Sequence, residues 1–311
     1  MREAAEQRGG LREKTDINLL VVLGATASGK TRLGVELARR LNGEIISADS
    51  RQVFRGMDLG TGKDLSEYGE VPFHLIDIAE AGSEFSLFAF QRHFFSAFAD
   101  IQRRGRLPLL VGGTGLYLDA VLRGYRLIEV PPDPSLRARL ATLDDAALRA
   151  RLRRLKPEQH NTTDLMERAR LVRAIEIAEG ERAAAAKLPP LPEVRPLVLG
   201  LRWERAALRR RIGLRLRERL AQGMVDEVAR LHAAGVSWER LEFYGLEYRF
   251  IARHLQGALD YDTMLQQLAT AIGQFAKRQE TFFRRMERQG VEIHWVHAEE
   301  EPLEQAMKRM F

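Results

Sequence analysis

The chain has 311 residues, 45% of them hydrophobic, with 49 Lys and Arg against 43 Asp and Glu and a formal net charge of +6. That length accommodates one large α/β domain plus an insertion, and the modest basic excess suits a polyanionic partner without requiring one. With no cysteine, disulfide frameworks and Cys-type zinc sites are excluded; no apolar run reaches membrane-spanning length and the N-terminus lacks a signal-peptide core, so a cytoplasmic protein with no membrane association is expected.

Residues 1–18 are polar, lack apolar periodicity and read as a mobile leader. Leu19–Leu23 reads as a buried strand that runs straight into Gly24, Ala25, Thr26, Ala27, Ser28, Gly29, Lys30 and Thr31, followed by a helix over Arg32–Leu41. This is the P-loop pattern in its strand–loop–helix setting. Gly24 and Gly29 let the backbone turn so that successive N–H groups cradle an anion, and the helix N-terminus adds partial positive charge. Lys30 supplies a full charge, and the Thr31 hydroxyl is placed to ligand Mg²⁺. A diphosphate or triphosphate is expected here; the loop alone does not say whether its carrier is a nucleotide.

Gly43 is expected to end the helix, and Glu44–Ala48 reads as a second strand delivering Asp49, Ser50, Arg51 and Gln52 to the sheet edge where α/β proteins bind ligands. That placement favours a functional Asp49 over a plain turn residue. A Gly-spaced loop covers 55–63. Val71–Ile78 reads as a strand with Asp77 near its end, either a second magnesium-organising carboxylate or a locally paired one. Phe85–Arg104 has helical spacing, and its aromatic stripe reads as core. Leu107–Val111 is the next strand, closed by Gly112, Gly113, Thr114 and Gly115, a turn that lets backbone and the Thr114 hydroxyl approach a ligand. The alternation predicts an α/β fold, a P-loop NTPase-like parallel sheet flanked by helices.

The first part of the core is thus 19–124. Pro131–Pro134 breaks the pattern, and 125–190 reads as a small all-helical insertion domain ending in an Ala-rich and Pro-rich linker. In it, Arg168, Arg170 and Arg173 form either a solvated face or a phosphate-backbone contact. Residues 191–311 read as the second part of the core and a helical C-terminal region. Arg195–Arg202 returns to the sheet, and Arg205–Gln222 is a basic helix on which Arg211 and Arg215 share a face. Further helices follow; on the last long one Lys277, Arg278, Gln279, Phe282 and Arg284 fit an RNA-facing surface or an ordinary amphipathic helix equally well. His294 and His297 have no third ligand nearby, so no metal is assigned to them.

Taken together, Gly24–Thr31, the run Ile46–Asp58 containing Ser-Ala-Asp-Ser-Arg-Gln, His74–Ile78, Val111–Tyr117, Arg173–Glu176 and Gln274–Gln279 resemble, in this order, the tRNA dimethylallyltransferases (tRNA isopentenyltransferases) over about residues 19–285. The resemblance implies transfer of a dimethylallyl group from dimethylallyl diphosphate to N6 of adenosine 37, beside the anticodon, with Mg²⁺ as cofactor and the tRNA anticodon stem-loop as partner of a monomer. It implies that the P-loop holds the donor's diphosphate, that Asp49 takes the amine proton, and that Thr114 lies near the bridging oxygen. An arginine in the Arg211–Arg215 region would neutralise the leaving group. Asp49, Ser50, Arg51, Gln52, Arg170, Arg173, Lys277, Arg278, Gln279, Phe282 and Arg284 would meet the tRNA. The chain departs from the family pattern at Gly60-Thr-Gly-Lys-Asp64, where Gly-Thr-Ala-Lys-Pro is frequent, and at Tyr244–Arg249. The competing expectations are an adenylate isopentenyltransferase acting on free AMP, ADP or ATP and, further off, an ATP-binding small-molecule kinase.

Overall fold

The computed structural model describes residues 16–157, 167–184 and 190–310. Six strands, β1 (Leu19–Gly24), β2 (Gly43–Ala48), β3 (Phe73–His74), β4 (Leu107–Gly112), β5 (Pro196–Arg202) and β6 (His294–His297), form one sheet in the order β3-β2-β4-β1-β5-β6, every pair parallel. Helices cover both faces, as a parallel sheet requires. Alternation along β1 sorts the layers. Leu19, Val21 and Leu23 pack with Phe90, Phe94, Phe98 and Ile101 on one face, while Leu20 and Val22 pack with Leu33, Val35 and Leu37 on the other. The aromatic stripe of the helix Leu87–Arg103, N-capped by the Ser86 hydroxyl, is therefore core.

β4 lies between β1 and β2. The segments leaving the C-terminal ends of these three strands, 24–31, 49–52 and 112–115, therefore emerge side by side. A third apolar cluster packs beneath them: Ala25 and Ala27 of the P-loop join Leu208, Ile212, Leu216, Ile272 and Ala276 of the C-terminal helices.

The chain forms two compact units, one from the segments up to Gly124 and from Glu193 onward, the other Tyr125–Pro192. In the second, Leu136, Leu140, Leu148, Leu152, Leu171 and Ile175 make a core of its own. Several local expectations differ in the structure. Asn42, at φ 51, takes the left-handed cap of the first helix, and Gly43 already begins β2, where a Cβ would lie 2.8 Å from Leu107 O. The strand expected over 71–78 is only Phe73–His74, because Leu75 and Asp77 turn to positive φ. Most of the expected leader (1–15), and 185–189 of the linker, lie outside the described residues. Asp16–Asn18 are fastened: Asn18 N–H donates to Arg195 O at 3.0 Å and Asn18 Oδ1 accepts from Arg195 N at 2.6 Å.

Candidate active site

The P-loop runs from β1 into α1 (Lys30–Leu41), with Gly29 at φ 86 as its N-cap and no side chain capping the helix. The first N–H groups of α1 are thus left for a ligand. Ser28 Oγ is buried and has no hydrogen-bond partner. Thr26 N–H donates to Gln279 Oε1 at 2.8 Å, and Gln279 Nε2 donates to Gly113 O at 2.9 Å, so one buried amide joins the P-loop to the loop after β4. Lys30 Nζ reaches Ala25 O at 3.4 Å. Burial lowers the Lys30 ammonium from 10.5 to about 8, with Arg215 and Arg219 pushing the same way and Asp49 and Asp64 opposing.

Asp49 closes β2. Its Oδ1 accepts from Arg51 N at 2.9 Å and Gln52 N at 3.4 Å, an Asx turn that fixes the carboxylate. Ser50 N–H donates to Thr114 Oγ1 at 3.0 Å, and Thr114 N–H to Ala48 O at 3.1 Å. Thr114 is thereby locked beside Asp49, with its own hydroxyl hydrogen still to give.

The cationic wall comes from the helix Arg205–Ala221. Arg211 Nε donates to Ala27 O at 3.1 Å, and its guanidinium lies 4.3 Å from the Trp203 ring centroid. Trp203 in turn donates its indole N–H to Ser28 O at 2.7 Å. Sequence reasoning missed Trp203; its place directly after β5 at the ligand edge was the available signal. Arg215 and Arg219, one turn apart, join Thr26, Ala27 and Glu247 around one cleft. Arg219, four residues from Arg215, could have been found by the spacing that paired Arg211 with Arg215. Burial raises the Glu247 carboxyl, against the lowering effect of Arg219 and Arg215.

The remaining candidates divide. Arg51 lies over the exposed Phe243 ring at 5.3 Å. Gln52 is buried, accepting from Ser47 Oγ at 3.0 Å and donating to Gly62 O at 3.1 Å, so its amide is spent inside the protein, as is that of Gln279. Asp77 binds the buried Lys63 ammonium, which also donates to Phe54 O and Asp58 Oδ1 at 2.7 Å each; of the two readings of Asp77, the structure has the locally paired one. Lys277, Arg278 and Arg284 are exposed on the helix Tyr261–Arg288, whereas Phe282 turns inward against Gly115. In the other unit, Arg170 is exposed beside Glu167, and Arg173 is held by Val130 O at 2.7 Å and Glu176 at 3.1 Å. Burial would raise Glu176, but Arg137, the Asp133 N–H and Arg173 outweigh it and hold the carboxyl at about 2. Among the described residues no three His, Cys, Asp or Glu side chains gather as metal ligands, and no helix is long and apolar enough to cross a membrane.

Residues 52–286 match the family model described as IPP transferase. The chain belongs to this family. Among IPP transferase relatives, the tRNA dimethylallyltransferase 2 of Syntrophotalea carbinolica is 67% identical over 94% of this chain and 98% of its own. That of Citrifermentans bemidjiense is 62% identical, covering 94% of each. The crystal structure of a full-length tRNA isopentenylpyrophosphate transferase from Bacillus halodurans superposes with a TM-score of 0.69 at 32% identity, over 94% of both chains. The family resemblance read from the motifs therefore extends over nearly the whole IPP transferase chain.

Proposed function

We propose that the chain transfers the dimethylallyl group of dimethylallyl diphosphate to N6 of adenosine 37, next to the anticodon of cytoplasmic tRNA. The observation that carries this reading is the convergence of the P-loop, Asp49 and Thr114 at one sheet edge, tied by the 3.0 Å Ser50–Thr114 bond and the Gln279 bridge. In the reaction the N6–C1 bond forms as the C1–O bond to diphosphate breaks. N6 loses one proton, and Asp49, whose Oδ1 alone is engaged by backbone, is the base at hand. Thr114 donates its hydroxyl hydrogen toward the bridging oxygen. Lys30, the N–H groups opening α1, Arg211 and Arg215 meet the negative charge that gathers on the departing diphosphate.

Mg²⁺ would be held by the Thr31 hydroxyl at the start of α1 together with oxygens of the diphosphate. When bound it supplies charge neutralisation of the diphosphate.

The acceptor adenine must leave its stack, at a cost of a few kcal/mol. Arg51 with Phe243, and the exposed Lys277, Arg278, Arg284 and Arg170, are the groups that offset it; Gln52, Gln279 and Arg173 act instead by holding the protein framework. The test offers labelled dimethylallyl diphosphate and Mg²⁺ with unmodified tRNA, AMP, ADP and ATP separately. Label at N6 of an anticodon-loop adenosine is expected. Label in free nucleotide only would move the chain to the adenylate isopentenyltransferases, and ATP binding with no prenylation to the kinases.

A further inference from the structure

The reaction as written makes no use of Asp64, yet this carboxylate sits on the cations of the cleft. Its Oδ2 accepts from Arg215 Nη2 at 2.6 Å and from Arg219 Nη2 at 3.1 Å. Both arginines line the same cleft as Thr26 and Ala27 of the P-loop. The two guanidiniums share the Asp64 carboxylate, and the other carboxyl on the cleft, Glu247, is buried and pushed toward its neutral form, so the wall stays cationic beside Lys30. Exposure differs along the cluster: the side chain of Arg219 is 11% exposed, Arg215 32% and Asp64 38%. Arg215 and Asp64 can therefore part and rehydrate cheaply, because an ion pair this accessible is worth little.

The loop that presents Asp64 is itself fixed. Its neighbour Lys63 is anchored in the interior, and Glu227 accepts the N–H groups of Asp58, Leu59 and Gly60 at 3.0, 2.7 and 3.1 Å. Asp64 has φ 44, a left-handed conformation closed to proline, whose φ is held near about −65°. Gly62 has φ 67, and a Cβ there would overlap the Arg219 guanidinium and lie 2.6 Å from Arg215 Nη2. The two positions at which this loop departs from the family pattern, 62 and 64, are thus the two that touch Arg215 and Arg219.

We propose that Asp64 is a resident counter-ion of Arg215 and Arg219 that competes with diphosphate for them, and so sets the affinity of the site for diphosphate as part of the donor and as product. The inference rests on the P-loop holding a diphosphate. An entering diphosphate, with at least two negative charges, takes Arg215 from the single carboxylate; on release, Asp64 recovers it, which favours product departure. Asp64 is a positioning residue here, since it acts through the arginines.

The test compares the full-length chain with Asp64→Asn, Asp64→Ser and Asp64→Glu. It measures binding of inorganic diphosphate by calorimetry, and KM for dimethylallyl diphosphate and inhibition by diphosphate in the prenylation assay. Asp64→Asn and Asp64→Ser are expected to bind diphosphate about three- to tenfold more tightly and to be more strongly product-inhibited, while Asp64→Glu stays near the unmodified chain. A purely structural role predicts the opposite sign, because arginines released from their partner lose orientation. Diphosphate binding by the unmodified chain with equal or weaker binding by both neutral variants overturns the proposal alone. No diphosphate binding by the unmodified chain overturns it together with the donor-site reading.

Discussion

At Asp49 the side chain is held by two backbone N–H groups through Oδ1, so asparagine can keep the same turn while losing the basic oxygen. Asp49→Asn is expected to lower kcat by about 10²–10⁴-fold and to leave tRNA binding intact, checked by single-turnover kinetics beside a filter-binding measurement. Retained turnover would remove Asp49 from the proton transfer. Lys30 makes a second prediction. Its ammonium titrates at about 8 in the folded chain against 10.5 in its ordinary state. Between those values the unfolded chain binds more protons, so the contribution of Lys30 to stability rises with pH through that window and is a constant penalty below it. A bound diphosphate favours the charged form. Binding near pH 8.5 should therefore take up part of a proton, and affinity should fall by up to about tenfold per pH unit above 8. Calorimetry in two buffers of different ionisation enthalpy reads the proton count; no uptake would mean that Lys30 does not face the anion. The placement of Asp49, Lys30 and Thr114 at one sheet edge was legible in the sequence because each follows a strand there. The inward roles of Gln52 and Gln279 were not, since a glutamine in a motif looks the same whether its amide faces RNA or a carbonyl.

At the scale of elements, the site depends on loops braced by distant helices. The Glu227 carboxylate, on the helix Met224–Ala233, accepts three consecutive N–H groups from 58–60 and the Tyr248 hydroxyl at 2.6 Å. Glu227→Ala leaves four donors without this acceptor in a buried place, at a cost of about 3 kcal/mol or more. A urea denaturation curve with its midpoint lowered and its slope unchanged is the expected result. An unshifted midpoint would show that water replaces the carboxylate. The strands and helices themselves were largely readable from apolar period and turn residues. The exception, the shortened strand at Phe73–His74, reflects Asp77 leaving extended geometry to reach Lys63. That pairing spans 14 residues and has no local signature.

For the whole molecule, the sheet and the P-loop belong to one unit and the Arg-rich helices of 125–192 to the other. Binding of tRNA by a chain of net charge +6 is expected to be carried largely by phosphate contacts. Its affinity should fall steeply and log-linearly with salt, while inorganic diphosphate binding at the P-loop changes much less. Equal salt slopes for the two ligands would place the RNA and the diphosphate on the same few cations.

The sequence by itself determined the class of fold, the P-loop and the family, because these are written in contiguous runs whose spacing alone constrains backbone and charge. What only the tertiary structure decided is how the pieces brace one another: Thr26 to Gln279 across 253 residues, Ser50 to Thr114 across 64, Arg215 to Asp64 across 151. Such contacts follow from strand order and helix packing, which bring remote segments to one sheet edge, and no local pattern in the chain encodes which arginines a carboxylate will meet there.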